Sequence, residues 1–89
     1  MAAYGLLFEE LSASGRHEEV LKRAEQCLSV DRCSEAAHQA KMRALLALGN
    51  RSGALRHYQQ LVEILSQDLG IAPDASSRRL FEQIQAGVS

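Results

Sequence analysis

The chain has 89 residues, of which 46% are hydrophobic and 24% are charged, a balance typical of one small globular domain. The chain has a formal net charge of −1 and so lacks the excess of Lys and Arg that binds a nucleic-acid backbone. We therefore expect no direct nucleic-acid binding. No apolar stretch approaches the roughly 20 residues that span a bilayer, and the N-terminus has no signal-peptide pattern. These features predict a cytoplasmic protein that does not bind membranes.

Two Tyr, two Phe and no Trp argue against a set of short strands, whereas helix-forming Leu, Ala, Glu, Gln and Arg supply much of the chain. A shift of 34 residues aligns the chain with itself and places a glycine at each mid-repeat turn, which is the period of a tetratricopeptide repeat. The aligned pairs are Phe8 with Met42, Leu11 with Leu45, Gly15 with Gly49, Val20 with Ala54, Leu21 with Leu55, and Leu28 with Val62.

The first repeat is predicted to contain two helices, over about 3–14 and about 17–29, separated by Gly15. Glu18 and Glu19 would lie in the first turn of the second of these helices, where the helix dipole favours negative charge. Apolar residues at helical spacing form the buried faces: Tyr4, Leu7, Phe8 and Leu11, then Val20, Leu21, Ala24, Cys27 and Leu28.

The second repeat is predicted to contain helices over about 34–48 and about 51–68. Ser34 can cap the start of the first, and Gly70 can end the second because glycine accepts the left-handed conformation. The apolar faces are Ala37, Met42, Leu45 and Leu48, then Ala54, Leu55, Tyr58, Leu61, Val62 and Leu65.

A fifth helix, over about 75–86, follows Pro73 and has Asp74 as its predicted N-cap. Its short apolar face, Leu80, Phe81 and Ile84, is expected to cover the open end of the second repeat. The predicted fold is therefore an all-α, tetratricopeptide-like right-handed stack of two antiparallel helix pairs plus a C-terminal capping helix, in one domain over residues 1–89.

No constellation of residues predicts catalysis, a cofactor or a metal. His17 beside Glu18 and Glu19 resembles an acid–base group, but adjacent helical residues point in different directions, so a solvated helix start is the preferred interpretation. Cys27, Cys33 and His38 match no common zinc spacing and lack a fourth ligand.

Three further features have ordinary structural interpretations. Cys27 and Cys33 are predicted to be reduced thiols, with a disulfide as the alternative. His38 is expected to be a neutral, half-buried ring between helix pairs rather than a pH switch. The segment 49–53 links two helices and lacks the lysine of a phosphate-binding loop.

Candidate partner-binding residues lie on the inner surface of the stack, which the first helix of each pair lines. They are Glu9, Ser12, Gln39 and Arg43. Arg78 and Arg79, at the start of the last helix, could meet an acidic partner, although exposed arginines are more often only solvated.

Between Ser34 and Ile84 the residues also form a specific pattern, whereas residues 1–33 fit a general repeat. The elements are Glu35-Ala36-Ala37-His38, Met42-Arg43, Leu48-Gly49, Ala54-Leu55-Arg56 with Tyr58, Leu65, Asp68-Leu69-Gly70-Ile71, Pro73, and Leu80-Phe81-Glu82-Gln83-Ile84. This pattern resembles the bacterial transcriptional activator domain of SARP-type regulators (Streptomyces antibiotic regulatory proteins). The Leu69-Gly70-x-x-Pro73 element is its most discriminating part, because a plain repeat array would continue there into another repeat.

The resemblance implies a non-catalytic regulatory domain that supports self-association or contacts needed for transcription activation. In this family the domain usually follows a winged-helix DNA-binding domain, so the chain is expected to be part of a longer protein. The implied partner is a protein: another copy, another domain of the same regulator, or the transcription machinery. The alternative is a generic tetratricopeptide adaptor that binds a peptide or partner domain in a signalling protein.

Overall fold

A computed structural model describes residues 16–87 of the chain, which form four helices. The helices are α1 (His17–Val30), α2 (Glu35–Ala47), α3 (Arg51–Leu69) and α4 (Ala75–Gln85). No strand occurs within residues 16–87, and the all-α prediction is confirmed. The predicted helix over about 3–14, with Glu9 and Ser12, lies outside the described residues.

Local sequence signals determine where three of the helices begin. The side chains of Ser34, Asn50 and Asp74 each accept a hydrogen bond from the backbone N–H three residues later, at 3.4, 2.9 and 2.8 Å respectively. These bonds satisfy N–H groups that have no partner inside the helix. At the other end of α3, Gly70 has a φ of 64°, the left-handed conformation that glycine adopts without a Cβ clash. The predicted caps at Ser34 and Asp74 and the predicted stop at Gly70 are therefore present.

Consecutive helices pack against each other, and two groups of buried side chains join them. α1 packs on α2, α2 packs on α3, and α4 packs on both α2 and α3. The core between α1 and α2 is rich in small residues: Val20, Ala24, Cys27, Ala37, Ala40 and Ala44. The core among α2, α3 and α4 has larger ones: Met42, Ala54, Tyr58, Leu61, Leu65, Leu80 and Ile84. Small side chains in the first core let α1 and α2 approach closely.

α4 covers the open side of the α2–α3 pair, as the capping prediction requires. Leu80 and Ile84 are buried against α3, and Phe81 stacks on Tyr58 with ring centroids 4.2 Å apart and planes tilted by 17°. Stacked aromatic pairs contribute more than their buried area alone. None of the helices within residues 16–87 combines the length and the apolar character needed to cross a bilayer.

Candidate functional site

The sequence-predicted partner residues fall into two structural classes. Arg43 on α2 and Arg78 and Arg79 on α4 are exposed, whereas Gln39 on α2 is half-buried. The Gln39 side chain is already engaged, because its amide Nε2 donates to the Ser77 hydroxyl at 2.8 Å. The structure thus places Gln39 in a contact between α2 and α4 and leaves the three arginines on the surface.

The Ser77 hydroxyl belongs to a polar network that attaches the start of α4 to the start of α2. It donates to Glu35 Oε2 at 2.6 Å and accepts from Gln39, so both of its hydrogen-bonding functions are used although the residue is fully buried. Glu35 Oε2 also accepts the backbone N–H of Asp74 at 3.0 Å. Because a buried hydroxyl without partners would be costly, these bonds specify where α4 docks.

The opposite end of α4 is attached to the start of α3. Arg51 Nε donates to the carbonyl oxygen of Ile84 at 2.7 Å, and its Nη2 donates to the carbonyl oxygen of Gln85. A guanidinium at this position donates to carbonyl groups that have no partner in the last turn, and its positive charge interacts favourably with the negative end of the helix dipole. Since its start lies at Glu35 and its end at Arg51, α4 runs roughly parallel to α2 and antiparallel to α3.

A pair of buried histidines joins α2 to α3. His38 and His57 are 1% and 5% exposed, and His38 Nδ1 lies 2.8 Å from His57 Nε2. The other nitrogen of His38, Nε2, lies 2.7 Å from the carbonyl oxygen of Arg32, in the loop before α2. The expectation of a half-buried His38 is wrong in degree: the ring is fully enclosed because His57 and the loop backbone supply partners for both of its nitrogens.

The surroundings of the pair favour uncharged rings. Burial is the main cause that lowers the pKa of His38 below its usual range, although its bond to the Arg32 carbonyl opposes the shift. Burial also lowers the pKa of His57, to about 4, with further lowering from the neighbouring His38 and Lys41 charges. At neutral pH both rings are therefore neutral.

A shallow groove of about 300 Å³ lies above the histidine pair, between α1 and α3. Glu25, Leu28 and Ser29 line it from α1, His38 and Lys41 from α2, and His57, Gln60 and Ile64 from α3, with Arg32 at one end. Lys41 Nζ crosses to Glu25 Oε1 at 2.7 Å, and this hydrogen bond and charge lower the pKa of the Glu25 carboxyl. α2 thus contacts both walls of the groove: α1 through Lys41 and Glu25, and α3 through His38 and His57.

Besides the bond from His38 to the Arg32 carbonyl, the loop between α1 and α2 has a second attachment, at the end of α3. Arg32 Nε lies 2.9 Å from Asp68 Oδ2, and the Cys33 thiol donates to the same oxygen at 3.6 Å. Burial, followed by the hydrogen bond and charge of Asp68, raises the pKa of the Cys33 thiol. Such a shift disfavours the thiolate, which is the nucleophile and metal ligand.

Residues 16–87 contain neither a disulfide nor a cluster of metal-ligating side chains. Cys27 and Cys33 are both free, and Cys27 Sγ makes only a weak contact with Ser34 Oγ at 3.8 Å. No group of three or more His, Cys, Asp or Glu side chains within the described range converges as a metal site would require. His17 begins α1 and is only partly buried.

Sequence reasoning missed His57, and with it the groove above the pair. A signal was present: His57 lies three residues after Ala54 and four before Leu61, on the apolar face of the predicted helix. A histidine in that position needs a buried polar partner, and His38 on the preceding helix is one. The Arg32 carbonyl could not have been identified, because nothing in the sequence shows where a loop carbonyl points.

Comparison with known proteins gives one match. A family model described as the bacterial transcriptional activator domain matches residues 1–85. No curated protein and no solved structure matches the chain.

Proposed function

The chain belongs to the bacterial transcriptional activator domain family, and we propose that it serves such an activator as a non-catalytic protein-interaction domain. Through it the activator would self-associate or make the contacts that activation needs. The partner would be another copy, another domain of the same regulator or the transcription machinery, and DNA would be bound by a different part of the parent protein.

The main support for an interaction scaffold is the closure of the stack by α4. The cap is attached at its start through Glu35 and Ser77 and at its end through Arg51, while Leu80 and Ile84 fill the core beneath it. A helix fixed at both ends presents its outer residues in constant positions. Constant geometry favours binding because little order has to be gained when a partner docks.

Exposed positive charge occurs at three of the candidate positions. Arg43, Arg78 and Arg79 are exposed, and none of the three forms an ion pair with another residue of the range 16–87. Arginine is well suited to contact carboxylates because its planar guanidinium donates two parallel hydrogen bonds. We therefore propose that an acidic protein surface docks here.

Charge reversal tests this surface in the full-length regulator. The combined variant R43E/R78E/R79E should weaken association or activation about tenfold or more, because like charges that face each other across an interface cost several kcal/mol. Sedimentation velocity would measure self-association, and a promoter reporter would measure activation. DNA binding, followed separately by a mobility shift, should not change.

Arg56 supplies the matched control, since it is also exposed but lies on α3. Arg56→Glu should leave association and activation intact. An equal loss in the control, or full activity of the triple variant, would contradict the proposed surface. The proposal of a separate DNA-binding part has its own test: the parent gene should encode a DNA-binding domain upstream of Met1.

A further inference from the structure

The histidine pair can be assigned a direction of hydrogen bonding. A carbonyl oxygen only accepts, so His38 Nε2 must carry the hydrogen that reaches the Arg32 carbonyl at 2.7 Å. In a neutral His38 the other nitrogen, Nδ1, then has a lone pair and accepts. His57 Nε2 must therefore carry the hydrogen of the 2.8 Å bond between the rings. The relay runs from His57 on α3 through His38 on α2 to the loop.

This direction limits how many protons the pair can hold. The first added proton leaves both bonds of the relay in place, because a singly charged pair still has one N–H and one lone pair between its rings. A second proton would put two N–H groups face to face across 2.8 Å, and two cationic rings with centroids 4.9 Å apart would repel each other. The second proton therefore breaks the bond between α2 and α3.

We infer that His57 and His38 act as an acid-sensitive latch: the neutral relay holds α2, and the Arg32 loop bonded to it, against α3, and acidification breaks the bond between the rings, so that the loop and α2 loosen together from α3 and the groove between α1 and α3 loosens with them. The latch is separate from the arginine surface proposed above. It would make the geometry of the α1–α3 groove depend on the protonation state of two buried rings.

The charged and polar groups around the pair act differently on the protonation of its two rings. From α2, Lys41 opposes protonation of both rings, whereas Glu35 favours a charged His38. Other groups favour the charged forms: Glu25 of α1 and Gln60 of α3 act on His57, and Asp31 of the loop acts on His38.

Besides the relay, Arg32 and Cys33 of the loop contact Asp68 of α3, and Cys33 packs against the core among α2, α3 and α4. The Arg32 side chain is 59% exposed, and ion pairs with such exposure contribute little because water screens them. The relay is shielded from water, so breaking the bond between its rings should be visible in the loop.

Ring-nitrogen NMR of the chain tests the inference directly. Long-range ¹H–¹⁵N spectra at pH 7.5 should show both His38 and His57 as the Nε2–H tautomer. As the pH falls, the backbone amide signals of Cys33 and Ser34 should shift together with the second ring protonation. A His38 ring with its hydrogen on Nδ1, or two rings that titrate independently near the usual histidine value, would overturn the latch.

Two substitutions at His57 separate a latch from simple filling of space. His57→Gln keeps an N–H donor that does not titrate, so the loop should stay protected from amide exchange at pH 7.5 and lose part of its acid sensitivity. His57→Leu removes the donor and leaves His38 Nδ1 open to a proton, so His38 should titrate at a higher pH than in the native chain. An unchanged His38 titration in His57→Leu would refute the inference.

The matched control is His17→Gln, at the start of α1 and away from the relay. It should leave the acid response of the loop as in the native chain. Should a His57 variant fail to fold, the tautomers of the native chain and the pH titration of its Cys33 and Ser34 amides decide the question.

Discussion

At the scale of single residues, buried alanines determine how closely the helices approach. Ala24, Ala37 and Ala54 are completely buried, and each lies at a helix contact. Protein interiors are packed as densely as organic crystals, so a larger side chain at such a position displaces its neighbours. All three belong to the apolar faces predicted from the sequence.

Replacing Ala54 by leucine should lower the free energy of unfolding by roughly 1–3 kcal/mol, because the added atoms have no space in the core. Denaturant titration followed by circular dichroism would measure the change. Ala36→Leu is the control, since Ala36 is exposed on α2 and leucine is nearly as good a helix former as alanine. Equal effects of the two substitutions would show that Ala54 is not tightly packed.

The buried histidines should make stability depend on pH. Both rings have a folded-state pKa below the unfolded value, so the unfolded chain binds more protons as the pH falls. Their contribution is fully present above about pH 6.5 and is lost as the pH falls toward about 4, the pKa of His57. The loss at His57 alone should be roughly 3 kcal/mol.

Thermal melts of the native chain between pH 7.5 and pH 4.5 would show this dependence as a falling midpoint. The same series for His57→Gln should fall less steeply, because one titrating ring has been removed. A native chain whose midpoint stays constant down to pH 5 would contradict the buried, neutral state of the pair.

At the scale of elements, α2, α3 and α4 each begin at a side-chain cap, and α4 depends on its cap most. It has only 11 residues, and isolated helices of that length are marginal in water. Asp74 both caps the helix through its carboxylate and donates its backbone N–H to Glu35. The cap and the docking contact therefore act on the same turn.

Asp74→Ala should destabilise the domain by about 1 kcal/mol, because the N–H of Ser77 loses its side-chain acceptor. Asp74→Asn should retain most of the stability, since asparagine is an equally good N-cap. Ser76→Ala, at an exposed neighbouring position, should have little effect. Urea titrations of the three variants would test the cap, and an unchanged midpoint for Asp74→Ala would argue against it.

At the scale of the whole molecule, α4 covers the open side of the α2–α3 pair. Its buried face completes the core among α2, α3 and α4, and polar contacts fix both of its ends. Contacts of this kind resist local opening, since the end of a helix frays when its last carbonyls have only water as a partner.

Arg51→Ala should increase amide hydrogen exchange in the last turn of α4 and lower the free energy of unfolding by about 1 kcal/mol. The reason is the loss of the two donors that reach the Ile84 and Gln85 carbonyls. Exchange measured by NMR would locate the effect. Arg56→Ala should leave exchange in α4 unchanged, and similar exchange in both variants would mean that Arg51 does not hold the end of α4.

The sequence by itself determined the elements and the family. Apolar spacing, Ser34, Gly70 and Asp74 located the helices of the described range to within one residue at each end, because these signals act over one or two turns. The 34-residue shift and the Leu69-Gly70-x-x-Pro73 element indicated a capped pair of repeats. The family match over residues 1–85 confirms the resemblance to the bacterial transcriptional activator domain.

Only the tertiary structure decided which polar side chains meet. Gln39, a candidate partner-binding residue, bonds to Ser77, 38 residues later in the chain. His57 pairs with His38 across 19 residues, and the Arg32 carbonyl completes the relay. Such partners depend on helix rotation and on the path of a loop, and the pattern of apolar residues constrains neither of these to the precision that a hydrogen bond requires.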